Sequence, residues 1–220
     1  MKIKSLAINK LDFLISLYIF CILASEVMGV KTFSLLNTPF IKLNASVSIF
    51  LLPLVFTIND VITEVYGAEK TRSIVRSGLV MIFLLSLFSF FFTTLTPSTR
   101  FLKSEDAYDL IFKQSTRIAI ASLTAFGIAD LMDVLIFVKI RNKFGSKALW
   151  FRNNVSNIIS QFLDTFIFMS LAFYDLSIPF HSNSTFLIGL ILPYWFLKCI
   201  LSVIETPFVY LGVKWLRKDT

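Results

Sequence analysis

Histidine is almost absent: the 220 residues contain one, His181. That argues against a metal centre built from histidine ligands at helical spacing, and against catalysis by a histidine base. Cysteine is nearly as scarce, and both thiols, Cys21 and Cys199, lie within apolar runs where they read as small packing residues rather than as a disulfide. The sequence has no Gly-rich loop ending in Lys-Ser or Lys-Thr, so ATP hydrolysis would need another chain. Charge is thin as well, at 16% of residues. A soluble fold of this length needs a charged exterior that this composition does not supply.

What is present instead is apolar bulk: 56% hydrophobic residues, 25 of them Phe, and a mean hydropathy of +0.77. The apolar residues fall in blocks long enough to cross a hydrocarbon core of about 30 Å, which takes roughly 20 helical residues. Lipid cannot satisfy backbone polar groups, and unbroken runs without period-two alternation select helices over a barrel. The expected fold class is therefore all-α: a polytopic membrane protein with six transmembrane helices, forming one integral membrane domain over 1–220. The runs place these helices at about Leu11–Val30, Ala45–Tyr66, Ser73–Leu95, Thr116–Lys139, Asn153–Tyr174 and Thr185–Trp215, the last long enough to protrude or bend. The basic stretch before the first run is followed by an apolar segment too long for a cleavable signal, so the first span is expected to stay.

Orientation follows from the cations, because cytoplasmic segments carry the excess of Lys and Arg. With the N-terminus inside, Lys70, Arg72 and Arg76, then Lys139, Arg141, Lys143, Lys147 and Arg152, then Lys214, Arg217 and Lys218 all fall on the same side as Lys2, Lys4 and Lys10. Fewer fall outside, and several of those share a loop with Glu105, Asp106 and Asp109. Both termini are expected in the cytoplasm, and the net charge of +7 reads as topology and anionic head groups rather than nucleic-acid binding.

Against this background the polar residues inside the spans are expensive, and each is a functional candidate by default. The second helix carries Thr57, Asp60 and Glu64 on one face. The fourth carries Ser122, Asp130 and Asp133, the fifth Asn153, Asn157, Gln161 and Asp164, and the sixth Tyr194, Lys198, Ser202 and Glu205, with Glu26 on the first. The simplest expectation is that these stripes turn inward together onto a shared cavity. Blander roles compete: Glu64 could pair with Arg72 or Lys70 at a helix end, Asp133 with Lys139 or Arg141, and the hydroxyls could simply join helices. Asp60, Gln161, Asp164 and Lys198 lie deeper. The spans hold more acids than bases, so some carboxyls must be neutral or met by arginines from the helix ends, which keeps proton coupling open. An aspartyl hydrolase using Asp130 and Asp133 is disfavoured, since residues three apart on one helix line a groove rather than flank a scissile bond.

The run Leu52-Pro53-Leu54-Val55-Phe56-Thr57-Ile58-Asn59-Asp60-Val61-Ile62-Thr63-Glu64-Val65-Tyr66-Gly67, followed by Arg72 and Arg76, resembles the signature of the queuosine precursor transporters, within the vitamin uptake transporter group. The block from Trp150 through Arg152, Asn153, Asn154, Ser156, Ser160 and Gln161 to Asp164 and Thr165 resembles that family's fifth helix, and Tyr194, Lys198, Thr206 and Pro207 its last. The resemblance covers essentially the whole chain. It implies a bacterial inner-membrane importer, not an enzyme, of 7-cyano-7-deazaguanine, 7-aminomethyl-7-deazaguanine or queuine, with no cofactor. It implies either a stand-alone secondary carrier, with proton symport as one mode of energising, or a substrate-binding membrane subunit driven by an ATPase partner; a homo-oligomer fits both. The residues expected to bind substrate are Asp60, Glu64, Asn153, Asn154, Gln161, Asp164, Tyr194 and Lys198. Those expected in coupling or gating are Glu26, Asp130, Asp133, Arg152 and Glu205. A carboxylate would accept the ring N–H and exocyclic amine of a guanine-like edge, a donor such as Lys198, Asn153 or Gln161 would meet its carbonyl, and Phe56, Phe162, Tyr194 or Trp195 could stack on its face.

Overall fold

The computed structural model describes residues 9–37, 42–144, 149–204 and 206–217; within 130–157 and 201–206 many side chains, Asp130, Asp133, Arg152, Asn153, Asn154 and Ser202 among them, lie outside the described residues, as does Glu205 entirely. Seven helices are found among these residues: α1 (Lys10–Met28), α2 (Leu52–Tyr66), α3 (Ala68–Phe92), α4 (Glu105–Phe144), α5 (Leu149–Phe173), α6 (Phe180–Ile204) and α7 (Thr206–Leu216). Two strands, β1 (Thr32–Asn37) and β2 (Lys42–Ser46), join α1 to α2.

Local chemistry sets the helix ends. Asn9 caps α1, its side chain accepting from the Leu11 amide at 2.9 Å. The corner between α2 and α3 is a single residue, Gly67, whose φ of 86° a residue with a Cβ would adopt only under strain. The last span expected from sequence, Thr185–Trp215, falls on α6 and α7, which are described up to Ile204 and from Thr206, with Pro207 in the first turn of α7.

Two expectations are corrected. The second helix does not begin at Ala45: that residue lies in β2, which pairs with β1 as an antiparallel hairpin, with Thr32 opposite Ser46 and a register irregularity between Ser34 and Leu36, followed by a 3₁₀ turn over Val47–Phe50. β2 packs against α6, so the all-α architecture carries one small two-stranded element beside its helices. The fourth helix is longer than the apolar run within it. At 40 residues it extends about 60 Å, twice the thickness of a hydrocarbon core, because the polar segment from Glu105 continues its helical geometry.

Burial is that of a protein solvated by lipid. Phe83, Phe88, Phe90 and Phe91 on α3 and Phe196 on α6 point outward, whereas the faces between helices are small or polar: Ala119, Ala121 and Ala125 on α4, Ser86 and Ser89 on α3, Thr165 on α5. Among the described residues, four helical segments are long and apolar enough to cross a membrane: Lys10–Met28, Val47–Tyr66, Ala68–Phe92 and Phe180–Ile200. A shorter apolar stretch, Ile158–Phe173, lies in α5.

The core has two main parts. In one, Tyr18 and Ile22 of α1 pack with Ile58, Val61 and Ile62 of α2, Ile74 and Ile82 of α3, and Leu216 of α7. In the other, Ala45 and Ile49 of the hairpin segment pack with Met169 of α5 and Leu187, Leu190, Ile191 and Tyr194 of α6. Between these two groups, bordered by α4, the helices do not close.

A candidate substrate cavity between the two helix groups

The gap is a cavity of about 230 Å³. That suits a small flat molecule rather than a drug-sized ligand, whose sites start at roughly 300 Å³. Most of its wall is apolar, from Ile22, Val55, Leu79, Ile118 and Phe168; its polar groups come from α1, the hairpin segment, α4, α5 and α6.

At one side stands an ion pair: Lys198 Nζ of α6 lies 2.8 Å from Asp164 Oδ2 of α5, with side chains 13% and 32% exposed. Charges at this depth persist when each compensates the other, and these two are the only described cation and one of two described carboxylates bordering the cavity. The other carboxylate is Glu26 of α1, 5% exposed, with the Ser122 hydroxyl of α4 in hydrogen-bonding reach and its Oε2 without a hydrogen-bond partner.

A chain of hydroxyls, ending on α6 one turn from Lys198, ties the hairpin to that helix. Ser46 Oγ donates to the Gly29 carbonyl at 2.7 Å, Ser46 and Ser48 hydroxyls lie 3.0 Å apart, and Ser48 meets the Tyr194 hydroxyl at 2.8 Å. Proton accounting fixes the direction of this chain. A carbonyl can only accept, so the single proton of Ser46 goes to Gly29; Ser48 must donate to Ser46, and Tyr194 must donate to Ser48. The Tyr194 oxygen therefore keeps its lone pairs for whatever occupies the cavity that it borders.

Two further hollows adjoin the cavity. One, of about 370 Å³, is lined by Gln114, Arg117, Asp175, Ser182 and Asn183 and shares Ile118 with the central cavity. The other, of about 240 Å³, is lined by Ala129, Ser160 and Gln161 and shares Phe56, Phe126, Asp164 and Lys198 with it. Along α4 the order is Arg117, Ile118, Ser122, Phe126, Ala129; running back from the loop residue Asp175 along α5 it is Ala172, Phe168, Asp164, Gln161. The three hollows thus lie in series. Ile118 separates the first two, and Phe56, Phe126 and the ion pair separate the second from the third. From Ile118 to Phe126 is about 12 Å along the helix axis.

The hollow beside Arg117 is framed by hydrogen bonds. Arg117 donates to the carbonyls of Leu171, at 2.8 Å, and Tyr174, closing the end of α5. Buried Asn183 accepts from the Asp175 amide and donates to the carbonyls of Asp175 and Ile178. In the same loop, the hydroxyl and amide of Ser177 hold the Asp175 carboxyl below its usual range.

The residues expected at a binding site separate into three groups. Asp164, Tyr194 and Lys198 border the central cavity, as does Glu26; Gln161 borders the adjoining hollow at the ion pair. Asp60 is exposed on α2 and borders neither, and Glu64 is exposed, with Arg217 Nη2 3.5 Å away. That contact is to the last helix, not to Arg72 or Lys70. Asn153, Asn154, Asp130, Asp133, Arg152 and Glu205 lie outside the described side chains. Sequence reasoning missed Ser46 and Ser48, which it placed in an ordinary membrane helix. Their spacing, two serines flanking Val47 in an apolar run, is the signal of a cap, and Ser46 does accept from the Ser48 amide.

Residues 46–212 match the family model described as "Putative vitamin uptake transporter". Over 170 residues the chain is 32% identical to a protein of Bacillus subtilis (strain 168) named "Probable queuosine precursor transporter", the match covering 75% of this chain and 70% of that protein. A protein of the same name from Haemophilus influenzae (strain ATCC 51907 / DSM 11121 / KW20 / Rd) is 32% identical over 130 residues, 58% of this chain and 52% of the relative. No solved structure matches. With the family model spanning most of the chain, and with several apolar helices around a polar cavity, the protein is a multi-pass membrane transporter rather than an enzyme; it belongs to the vitamin uptake transporter family, in the group of the queuosine precursor transporters.

Proposed function

We propose that this protein imports a queuosine precursor of the 7-deazaguanine type across a bacterial inner membrane, working as a secondary carrier with six membrane crossings and both termini in the cytoplasm. The observation that carries the reading is the central cavity, closed on one side by the Asp164–Lys198 pair and adjoined by a hollow on either side along the same helices. A carrier needs a mid-depth site reachable in turn from two sides, built where helices from different parts of the chain meet. A 7-deazaguanine offers donors and acceptors on its edge and a flat apolar face, which suit a small cavity with sparse polar groups on an aliphatic and aromatic wall.

Several contacts support the topology. Lys10 Nζ donates to the Trp215 carbonyl at 2.7 Å and sits 5.0 Å from that indole, so the first and last helices begin and end together. Arg217 beside Glu64 brings the α2 terminus to the same end. The hairpin, residues 93–104 and the α5–α6 loop then share the other end, and the excess of cations lies with the termini.

Uptake into liposomes by the purified protein tests the proposal. Labelled 7-cyano-7-deazaguanine and 7-aminomethyl-7-deazaguanine should enter, and imposing a proton gradient of either sign reports the coupling. No movement of either base under any gradient would end the stand-alone carrier reading. In cells, a strain unable to make queuosine should recover the tRNA modification when given this protein and a precursor.

A further inference from the structure

Within that reading, we propose that Glu26 is the specificity-determining carboxylate: it accepts the paired ring N–H and exocyclic amine of the base, and so selects 2-amino-substituted bases over analogues that lack the amine.

The argument is an inventory of acceptors and charges. Three described ionisable groups other than tyrosine border the cavity, and two of them, Asp164 and Lys198, compensate each other at 2.8 Å. That leaves Glu26 as the carboxylate with no cation facing it among the described residues. From α2 the cavity receives Leu52, Val55 and Phe56, from α3 Val75, Gly78, Leu79 and Ile82, and from α4 the hydroxyl of Ser122 as the polar group. A carboxylate 5% exposed with one oxygen unpartnered is costly to keep in such a place, and a structure retains it where a bound group completes it.

Geometry says what that group is. The terminal torsion of Glu is broad and roughly two-fold, so either oxygen can turn to the cavity. A carboxylate has two acceptor oxygens side by side and matches two parallel N–H donors. Two wall hydroxyls whose direction is fixed also accept: the Tyr194 oxygen, whose proton is committed to Ser48, and the Ser25 oxygen, whose proton goes to the Ile22 carbonyl. The cavity is therefore rich in acceptors, with Lys198 as the donor for a carbonyl. Ser122 and Phe126, which mark the Glu26 and ion-pair ends on α4, are one turn apart, about 6 Å along the axis. A single bicyclic base spans that distance.

Binding to detergent-purified protein, measured by calorimetry with 7-cyano-7-deazaguanine and with the same base lacking its 2-amino group, tests the assignment. The unaltered protein should bind the amino-bearing base at least tenfold more tightly. In Glu26→Gln that affinity should fall on the order of 10- to 100-fold, and the preference between the two bases should vanish. If Glu26→Gln does not fold, Glu26→Asp, which keeps the charge on a shorter arm, should lose affinity for the amino-bearing base alone. Equal loss for both bases, or unchanged affinity and preference in Glu26→Gln with only gradient-driven accumulation abolished, would overturn the assignment and leave the proposed transport standing. Failure of the unaltered protein to bind either base would overturn the transport reading and this one with it.

Discussion

Helices α2 and α5 carry the same kind of message in sequence and deliver it to different places. Each is apolar with polar residues at steps of three or four: Thr57, Asp60 and Glu64 on α2, Gln161 and Asp164 on α5. In the fold, Asp164 borders the central cavity against Lys198 and Gln161 borders the hollow beyond it. Asp60 and Glu64 are exposed, while the buried face of α2 is Ile58, Val61 and Ile62, seated on α1, α3 and α7. Helical spacing decides which residues share a face; it does not decide what that face meets.

The comparison can be broken at its strongest point first. Asp164→Ala leaves the Lys198 ammonium without its partner in a site only 13% exposed, and should abolish uptake and cost about 1–3 kcal/mol of stability, less than for a fully buried pair because Asp164 is one-third exposed. Exchanging the two residues, Asp164→Lys with Lys198→Asp, should recover membrane abundance but not transport, if the pair serves substrate passage as well as folding. Thermal unfolding in detergent and uptake in vesicles separate the two readouts.

A smaller effect is expected from Tyr194→Phe. It keeps the ring packed with Leu190 and Met169 but leaves Ser48 without its donor and the cavity without the phenol oxygen; a loss of about 1 kcal/mol in stability and a several-fold fall in substrate affinity should result. Asp60→Asn sharpens the comparison directly. With Asp60 outside all three hollows, uptake should change by less than about threefold, within what one exposed polar contact is worth. A loss as large as that of Asp164→Ala would mean that α2 turns its stripe inward at another stage of transport. Glu64→Gln should do least. Its partner Arg217 is 3.5 Å away with both side chains more than half exposed, a geometry worth about 0.5 kcal/mol or less, and neither abundance nor uptake should move measurably.

Much of the architecture was legible because hydrocarbon is an undemanding but uniform solvent. Runs of about 20 apolar residues and the cations between them can be read without knowing any neighbour. The hairpin was not legible. Residues 32–46 contain no strand alternation strong enough to stand alone, and their pairing depends on α6 covering β2. The candidate site was legible in half. Asp164, Tyr194 and Lys198 stand out as costly residues in spans, yet Ser46 and Ser48 look like ordinary small residues until the hairpin swings them onto Tyr194.

Sequence by itself determined that this chain lives in lipid, that it crosses as helices, and that its charged side chains at depth must find partners or a cavity, since each of these follows from the cost of exposing polar groups to hydrocarbon. Only the tertiary structure decided that Lys198 chooses Asp164, that Tyr194 spends its proton on Ser48, and that Glu26 stands apart from any described cation. Those outcomes depend on which helix faces which, and that is set by packing among Ala119, Ala125, Gly78 and their neighbours, over distances in the chain that no local pattern spans.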